Sequence, residues 1–319
     1  MQKDYGQSGF AGAMIKTKGL REEKLKKLAS VVDWKALEEL AGPLRGSKKG
    51  RPAYPVSVMI RSLMLQRWHG LSDVALEEAL DDQLSFRAFA GIPVDETAPD
   101  HATIWRFREA LSQHGLDKAL FEEVNRQLES KGLILRQGTL VDATIRQAAV
   151  NPPPFKEGEV ADKDPDAGFT KKNDTTFFGF KGHIGVDAGS TLVRCERTTS
   201  ADVHDSQVFA DVIVGDEEFV AADKAYGSAA NRAMLTEAGI KDRVMHKASR
   251  GHPLKPWQTW MNKVISPIRS EVERVFAHLK QMDGPRCRSF GLRRNSTAFT
   301  LLCTAYNIRR AASLSATTA

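Results

Sequence analysis

The stretch that decides the fold runs from residue 139 to residue 145 and reads Thr-Leu-Val-Asp-Ala-Thr-Ile. It is short, apolar and rich in β-branched residues, which is typical of a strand buried in a sheet. Asp142 interrupts this pattern with a carboxylate between Val141 and Ala143. Burying a carboxylate is costly unless it is paired or binds a metal ion. The stretch therefore predicts the first strand of a domain and a residue that needs a functional explanation.

Four more strands are predicted after it, at residues 176–186, 191–199, 219–223 and 243–245. Helices are predicted between and beyond them, at residues 205–213, 228–238, 257–281 and 296–312. Residues 257–281 are predicted as one helix or two, since Ser266-Pro267 has the composition of a helix start. Three antiparallel strands followed by two strand–helix units is the order of the ribonuclease-H-like fold. We therefore predict an α/β catalytic domain over residues 136–319, with a mixed five-stranded sheet. Within it, residues 151–175 contain three consecutive prolines and many charges, a composition typical of an exposed and disordered loop.

The chain before residue 136 is predicted to be helical throughout. Its helices are predicted at residues 20–28, 34–40, 55–68, 73–80, 103–111 and 116–128. Ser72 and Asp100 precede two of these helices and are predicted to be their N-caps. We therefore predict an all-α N-terminal region over residues 1–135, and a length of 319 residues agrees with two domains.

Charge is distributed unevenly along the chain. The net charge is +6, but residues 1–72 carry +8, residues 73–100 carry −7 and residues 241–319 carry +11. Basic ends attract phosphates, so both ends are candidate contacts for a polyanion. The acidic middle is either solvated surface or a source of metal-binding carboxylates.

Several classes of protein are excluded by features that the sequence lacks. No apolar run reaches the ~18 residues of a membrane helix, and no apolar signal core opens the chain. The three cysteines form no Cys-x-x-Cys pair, and there is no P-loop or Rossmann glycine fingerprint. These features predict a cytoplasmic protein and argue against ATP-driven or hydride-transfer chemistry.

Two further acids are placed like Asp142. Asp223 ends the predicted strand that begins at Phe219, and Glu273 lies on a helix with an apolar face. In the predicted fold the first and fourth strands are neighbours and a helix crosses them, so the three carboxylates should converge. Converging anions repel one another unless divalent cations lie between them, and oxygen ligands suit Mg²⁺ or Mn²⁺. Two such ions can carry out phosphoryl transfer, whereas the alternative is that each acid makes an ordinary salt bridge.

These residues lie in motifs that are similar to those of a known family. The matching stretches are RPAYPVSVMIRSLMLQRWHGLSD (51–73), PDHATIWRFR (99–108), GTLVDATI (138–145), GFKGHIGVD (179–187), ADVHDS (201–206), ADKAYGS (222–228) and RSEVERVFAHLK (269–280). Over nearly its whole length the chain resembles the insertion-sequence-five family of bacterial DDE transposases, within the broader insertion-sequence-four and insertion-sequence-five superfamily. The resemblance implies that Asp142, Asp223 and Glu273 are the catalytic residues and hold two Mg²⁺ or Mn²⁺ ions.

The last of these motifs fits the family signature Tyr-x2-Arg-x3-Glu-x6-Lys. Arg269, Glu273 and Lys280 occupy three of its positions, and Ser266 stands where the family has tyrosine. That departure leaves no tyrosine hydroxyl to contact DNA there. At ~3.6 residues per turn the arginine, the glutamate and the lysine share one helix face, so both cations are predicted to hold DNA phosphates. The alternative is an ordinary surface salt bridge.

Four more residues are candidate DNA contacts. Lys181 and His183 share one face of a predicted strand, and that face is predicted to contact DNA. The alternative is that the face is simply exposed to solvent. Arg106 lies on a predicted helix that can belong to a variant helix-turn-helix, although the connection before that helix is long. It does not share a face with Arg108, so at most one of the two can enter a groove. Arg51 lies in the basic loop 46–52.

The resemblance implies a DNA transposase that binds the terminal inverted repeats of its insertion sequence and then cleaves and transfers strands. Its partners would be the terminal repeats and target DNA, with the protein acting as a homodimer or higher oligomer near the nucleoid. One alternative is a ribonuclease-H-like nuclease without strand transfer. Another is a domesticated DNA-binding protein, against which the intact set of acids argues.

Overall fold

The structure, a computed structural model, describes residues 20–44, 52–152, 163–249 and 251–315 of the chain. Two compact units are present within these ranges. One contains the described residues up to Lys131 together with those from Thr300 onward, and the other extends from Gly132 to Phe299. None of the described helices has the length and hydropathy needed to cross a membrane.

The first unit is helical, as predicted. Its helices before Lys131 are α1 (Leu20–Val31), α2 (Trp34–Leu40), α3 (Val56–His69), α4 (Asp73–Asp82), α5 (Leu84–Ala90), α6 (His101–Gln113) and α7 (Leu116–Ser130). Both predicted N-caps are confirmed. The Ser72 hydroxyl accepts from the backbone N–H of Ala75 at 3.0 Å, and the Asp100 carboxylate accepts from that of Thr103 at 2.6 Å. Each cap satisfies a donor that the first helical turn leaves without a partner.

The second unit is built on one mixed sheet. Its strands are β1 (Thr139–Gln147), β2 (Gly168–Lys172), β3 (Thr175–Asp187), β4 (Val193–Ser200), β5 (Phe219–Ala222) and β6 (Lys241–Val244). The strand order is β2-β3-β1-β5-β6, and β4 also pairs with β3. The pair β1–β3 is antiparallel, whereas β1–β5 and β5–β6 are parallel. The ribonuclease-H-like prediction is confirmed, with one strand more than the five expected.

The extra strand corrects the predicted loop at 151–175. Residues 168–172 form β2, which pairs with residues 175–179 of β3, and Asp164 is fully buried. The Asp164 carboxylate accepts from the backbone N–H of Gly291 at 2.9 Å. Residues 153–162 of the predicted loop lie outside the described residues. The second half of the stretch therefore contains a paired strand, although its polar composition is typical of a loop.

One helix prediction in this unit is wrong. Residues 205–213 form two short 3₁₀ turns, Asp205–Gln207 and Ala210–Val212, instead of a helix. Residues 257–281, predicted as one helix or two, lie in a single helix, α9 (Pro256–Asp283), which passes through Pro267 without ending. The remaining helices are α8 (Ala229–Glu237) and α10 (Leu292–Ser315).

The predicted catalytic domain ended at residue 319, but α10 divides between the two units. Its residues from Thr300 onward group with the helical unit. There the indole N–H of Trp68 donates to the Ala305 carbonyl at 2.8 Å, and the Asn307 amide donates to Asn125 at 2.7 Å. Ile308 is fully buried. The sequence pattern of α10 does not indicate to which unit this helix belongs. Its packing contacts place the part from Thr300 onward in the helical unit.

A buried ion pair fixes the end of α9 to the sheet. The Arg146 guanidinium donates to the Asp283 carboxylate at 2.6 Å, and both side chains are at most 5% exposed. The same guanidinium lies 5.4 Å from the ring centroid of Phe299. Backbone bonds from Gln147 N–H to Pro285 and from Cys287 N–H to Gln147 reinforce the junction. This junction fixes the position of α9 over β1, the strand that carries Asp142.

Candidate active site

Asp142 lies on β1, and Asp223 directly follows the neighbouring strand β5. Parallel pairing of β1 with β5 ends at Val141 opposite Ala222, and the two aspartates are the next residues along the chain. Val141 and Ala222 are fully buried, whereas the Asp142 side chain is 20% exposed. The apolar strand ends thus hold both carboxylates at the rim of the core.

Arg269 joins the helix to this strand end. Its guanidinium donates to Asp142 Oδ2 at 2.9 Å and to Glu273 Oε1 at 2.9 Å. Helix α9 packs against both β1 and β5, so all three acids lie around the same strand ends. The neighbouring Glu271 instead accepts from Arg274 at 2.9 Å. The structure therefore distinguishes Glu273 from the other acid of its motif.

The surroundings of Asp142 disfavour the ionised form of its carboxyl group. The pKa of this carboxyl is raised to about 6, chiefly by burial and also by the nearby charge of Asp223. A hydrogen bond from its own neighbour Ala143 N–H and the positive charge of Arg269 act in the opposite direction. A nearby cation therefore stabilises the ionised form, which is the condition expected of a metal-binding carboxylate.

The donors suit a divalent cation in their chemistry. Carboxylate oxygens are the ligands that Mg²⁺ and Mn²⁺ prefer, and Arg269 already places one positive charge between two of them. Across the described ranges, however, no three His, Cys, Asp or Glu side chains are close enough to share one ion. The Glu273 side chain is 61% exposed, so it has room to turn toward the aspartates. Asp142, Asp223 and Glu273 are the residues that would hold the ions.

Two residues beside the acids were missed by the sequence reasoning. Tyr226 is almost fully buried, and its hydroxyl has no hydrogen-bond partner among the described residues. Burial raises its pKa well above the ordinary value, and the charges of Asp205, Asp142 and Asp223 raise it further. Lys172 on β2 adds a positive charge that favours ionised Asp142. The only sequence feature that points to Tyr226 is its position in ADKAYGS, three residues after Asp223. No local pattern indicates Lys172, because the composition of its segment predicts a loop.

The predicted DNA contacts at Lys181 and His183 are corrected by the structure. They do share one face of β3, but that face is covered. The Lys181 ammonium donates to Asp205 and to the Val203 carbonyl, both at 2.9 Å. His183 is fully buried 3.0 Å from the Thr199 hydroxyl, and burial lowers its pKa to about 4. A buried neutral imidazole and a paired lysine do not reach a DNA phosphate, so neither assignment is retained.

The arginines of α6 diverge as predicted. Arg106 is exposed, whereas the Arg108 guanidinium makes two bonds of 2.7 Å to the Asp73 carboxylate on α4. Burial alone would raise the pKa of Asp73, but hydrogen bonds and charge from Arg108 hold it below the ordinary value. Arg108 therefore fastens α6 to α4, and Arg106 is left facing solvent.

This difference gives a paired prediction. Arg108→Ala should lower the free energy of unfolding by about 1–2 kcal/mol, because it leaves a half-buried carboxylate without its partner. Arg106→Ala should change it by less than ~0.5 kcal/mol and should weaken DNA binding instead. Urea denaturation and fluorescence anisotropy with duplex DNA measure the two effects. Equal stability of the two variants would contradict the assignment.

Of the remaining predicted contacts, Lys280 is exposed two turns beyond Glu273 on α9. Arg51 lies outside the described residues. Lys280 is thus positioned as the sequence predicted relative to the acids.

A ribonuclease-H-like sheet with one acid on β1, one directly after β5 and a third on the helix packed across them is an arrangement that suits a nucleic-acid-processing class of protein. Comparison with known families specifies it further. The family model described as "Transposase DDE domain" matches residues 134–308, and the one described as "Transposase domain (DUF772)" matches residues 14–110. The chain belongs to the Transposase DDE domain family and is an insertion-sequence DDE transposase. No solved structure matches the chain at a significant level. Enzymes of this family generally use divalent metal ions.

Proposed function

We propose that this transposase binds the terminal inverted repeats of its own insertion sequence, cleaves DNA strands there and joins the 3′-OH ends to target DNA. We assign it to the insertion-sequence-five family on the motifs given above. The observation that supports the chemistry best is the carboxylate set around Arg269. Asp142 lies on β1 where its pairing with β5 ends, Asp223 directly follows β5, and Arg269 joins Glu273 on α9 to Asp142.

The residues divide the chemistry between them. When bound at the three carboxylates, two divalent ions supply the Lewis acidity that activates water or a 3′-OH and stabilises the leaving oxygen. The backbone of β1 and the end of β5 fix where Asp142 and Asp223 start. Glu273, whose side chain is 61% exposed on α9, would complete the ligand set. Arg269 has five donors, so it can exchange a carboxylate contact for a phosphate contact when DNA arrives.

The helical unit is the proposed DNA-binding region. The protein is proposed to act in the cytoplasm at the nucleoid. It is proposed to bind two ends of its insertion sequence as a dimer or higher oligomer. The basic N-terminal stretch belongs to this unit, together with Arg309 and Arg310 from the C-terminal stretch. Phosphate contacts position a protein on duplex DNA, whereas base contacts specify the sequence. Arg106 is the exposed candidate for a base contact on α6.

The decisive experiment starts from the DNA that flanks the coding region. Imperfect inverted repeats bordered by a short target duplication should be found there. Purified protein with Mg²⁺ should then nick a linear fragment at the repeat boundary and join it to a supercoiled plasmid, as followed on a sequencing gel. Nicking without joined products would favour the nuclease alternative, and binding without nicking would favour a domesticated DNA-binding protein.

A further inference from the structure

A groove of about 500 Å³ lies in the helical unit, between α1 and the end of α10, with the end of α3 at its base. Its basic lining consists of Arg21, Lys24, Lys27, His69 and Arg309. The remaining lining residues are apolar or small: Leu25, Leu28, Trp68, Ala312 and Ser313. No described lining residue is acidic. The groove is therefore positively charged over an apolar floor.

Helical spacing explains why these cations meet. Arg21, Lys24 and Leu28 recur at intervals of three and four residues, so they share one face of α1. Arg309 and Ser313 are four apart on α10 and share a face in the same way. Two helix faces thus line the groove, one from each basic end of the sequence. Cations far apart in the sequence are collected in one place by the fold.

Other arginines of the same unit are used internally. The Arg61 guanidinium lies 5.0 Å from the ring centroid of Trp34 and donates to the Phe89 carbonyl, and Arg87 is buried with bonds to carbonyls such as that of Leu80. The side chains of Lys24, Lys27 and Arg309 are instead exposed. The groove cations are therefore available to an external anion.

The charges of the groove also act on one another. Partial burial together with the nearby charges of Arg21 and Arg309 lowers the pKa of His69. The ring centroid of His69 is 4.8 Å from that of Phe86, and the Arg21 guanidinium donates to Gln83 at 2.6 Å. These contacts fix part of the lining in place. The like charges are held close together, which a bound anion would relieve.

We propose that this basic groove binds the sugar–phosphate backbone of the DNA end, with Lys24, Lys27 and Arg309 each neutralising a phosphate. The inference rests on the proposed DNA-binding function and names the surface that carries it. Several cations without an intervening acid suit a regularly spaced polyanion better than a single small anion. The apolar floor accommodates sugar carbons between the phosphates. An acidic segment of a second copy, such as residues 73–100, is the competing occupant.

The test uses the full-length protein and a short duplex of unrelated sequence, because phosphate contacts do not depend on sequence. Fluorescence anisotropy across a salt series gives the slope of log affinity against log salt. The triple variant Lys24→Ala/Lys27→Ala/Arg309→Ala should bind at least about tenfold more weakly and lose about three from that slope, one for each contact. The matched control is Lys35→Ala/Lys118→Ala/Arg126→Ala, which removes the same charge from exposed positions of the same unit outside the groove.

The outcomes are distinguishable. The control variant should retain most of the wild-type slope, and the charge-preserving variant Lys24→Arg/Lys27→Arg/Arg309→Lys should restore affinity to within a few-fold. A groove variant whose slope equals that of the control overturns the inference, as does one that only shifts the sedimentation of the protein without DNA. Failure of the wild-type protein itself to bind any duplex would instead overturn the proposed function. Circular dichroism of every variant checks that the helices are intact.

Discussion

Replacing Asp142 or Asp223 with asparagine, or Glu273 with glutamine, should abolish strand cleavage in Mg²⁺ while leaving DNA binding largely unchanged. Each change removes one charged oxygen from a set whose members lie around the same strand ends. Metal-ion catalysis is worth several kcal/mol at the transition state, so we expect a loss on the order of 10³-fold or more. Single-turnover cleavage on pre-bound DNA measures the rate, and anisotropy in EDTA measures binding.

Glu271→Gln is the matched control for this prediction. Glu271 lies two residues from Glu273 on the same helix, but it pairs with Arg274 on the helix surface. Its loss should leave cleavage within a few-fold of wild type. Near-normal cleavage by any one of the three amide variants would remove that residue from the assignment, and a defect equal to theirs in Glu271→Gln would point to general damage of α9.

The second large effect is expected at Arg269. Arg269→Ala should slow the chemical step by about 10²-fold, in the range found when one donor to a transition-state anion is removed. The guanidinium already reaches Asp142 and Glu273 at 2.9 Å, so a phosphate held by those carboxylates' metal ions would lie within its reach. Lys280 is seven residues, or about 10 Å of helix, beyond Glu273. Lys280→Ala should therefore weaken binding to DNA more than it slows cleavage.

A rate constant measured on pre-bound DNA separates these two effects, because it is independent of affinity. Thermal denaturation of each variant should accompany it. If both variants cleave at the wild-type rate and bind DNA equally well, the arginine contacts are an ordinary salt bridge. Such a bridge would contribute under ~1 kcal/mol to stability and little to activity.

The strands that carry the acids could be predicted because their signal is local. A short β-branched run with one carboxylate, as around Asp142, has few other interpretations. Strand β2 could not be predicted, because Lys171 and Lys172 are exposed and its partner on β3 supplies the order. Whether residues 257–281 form one helix or two could not be predicted, because Ser266-Pro267 has the composition of a helix N-terminus, whereas α9 passes through that proline.

The site residues show the same limit. Alternation along β3 correctly put Lys181 and His183 on one face, but the pattern carries no information about what covers that face. The side chains that these two residues contact are Asp205 and Thr199, which are remote in sequence. For Arg106 and Arg108 the helical spacing was sufficient, since it separates two directions on one helix whatever lies around them. Sequence periodicity thus predicts the direction in which a side chain points, whereas only the folded structure shows whether that side chain is buried.

The division of α10 between the two units has a consequence for the order in which the protein is made. The helical unit contains the first described residues of the chain and also those from Thr300 onward. A ribosome therefore completes the whole sheet before it releases the last piece of the helical unit, including the carbonyl of Ala305 that receives the Trp68 indole. Ribosome-bound chains that end before Thr300 should be cut by protease in the helical unit while the sheet resists. A nascent transposase would then complete last the groove that we propose binds DNA, because Arg309 lies in the final piece of that unit.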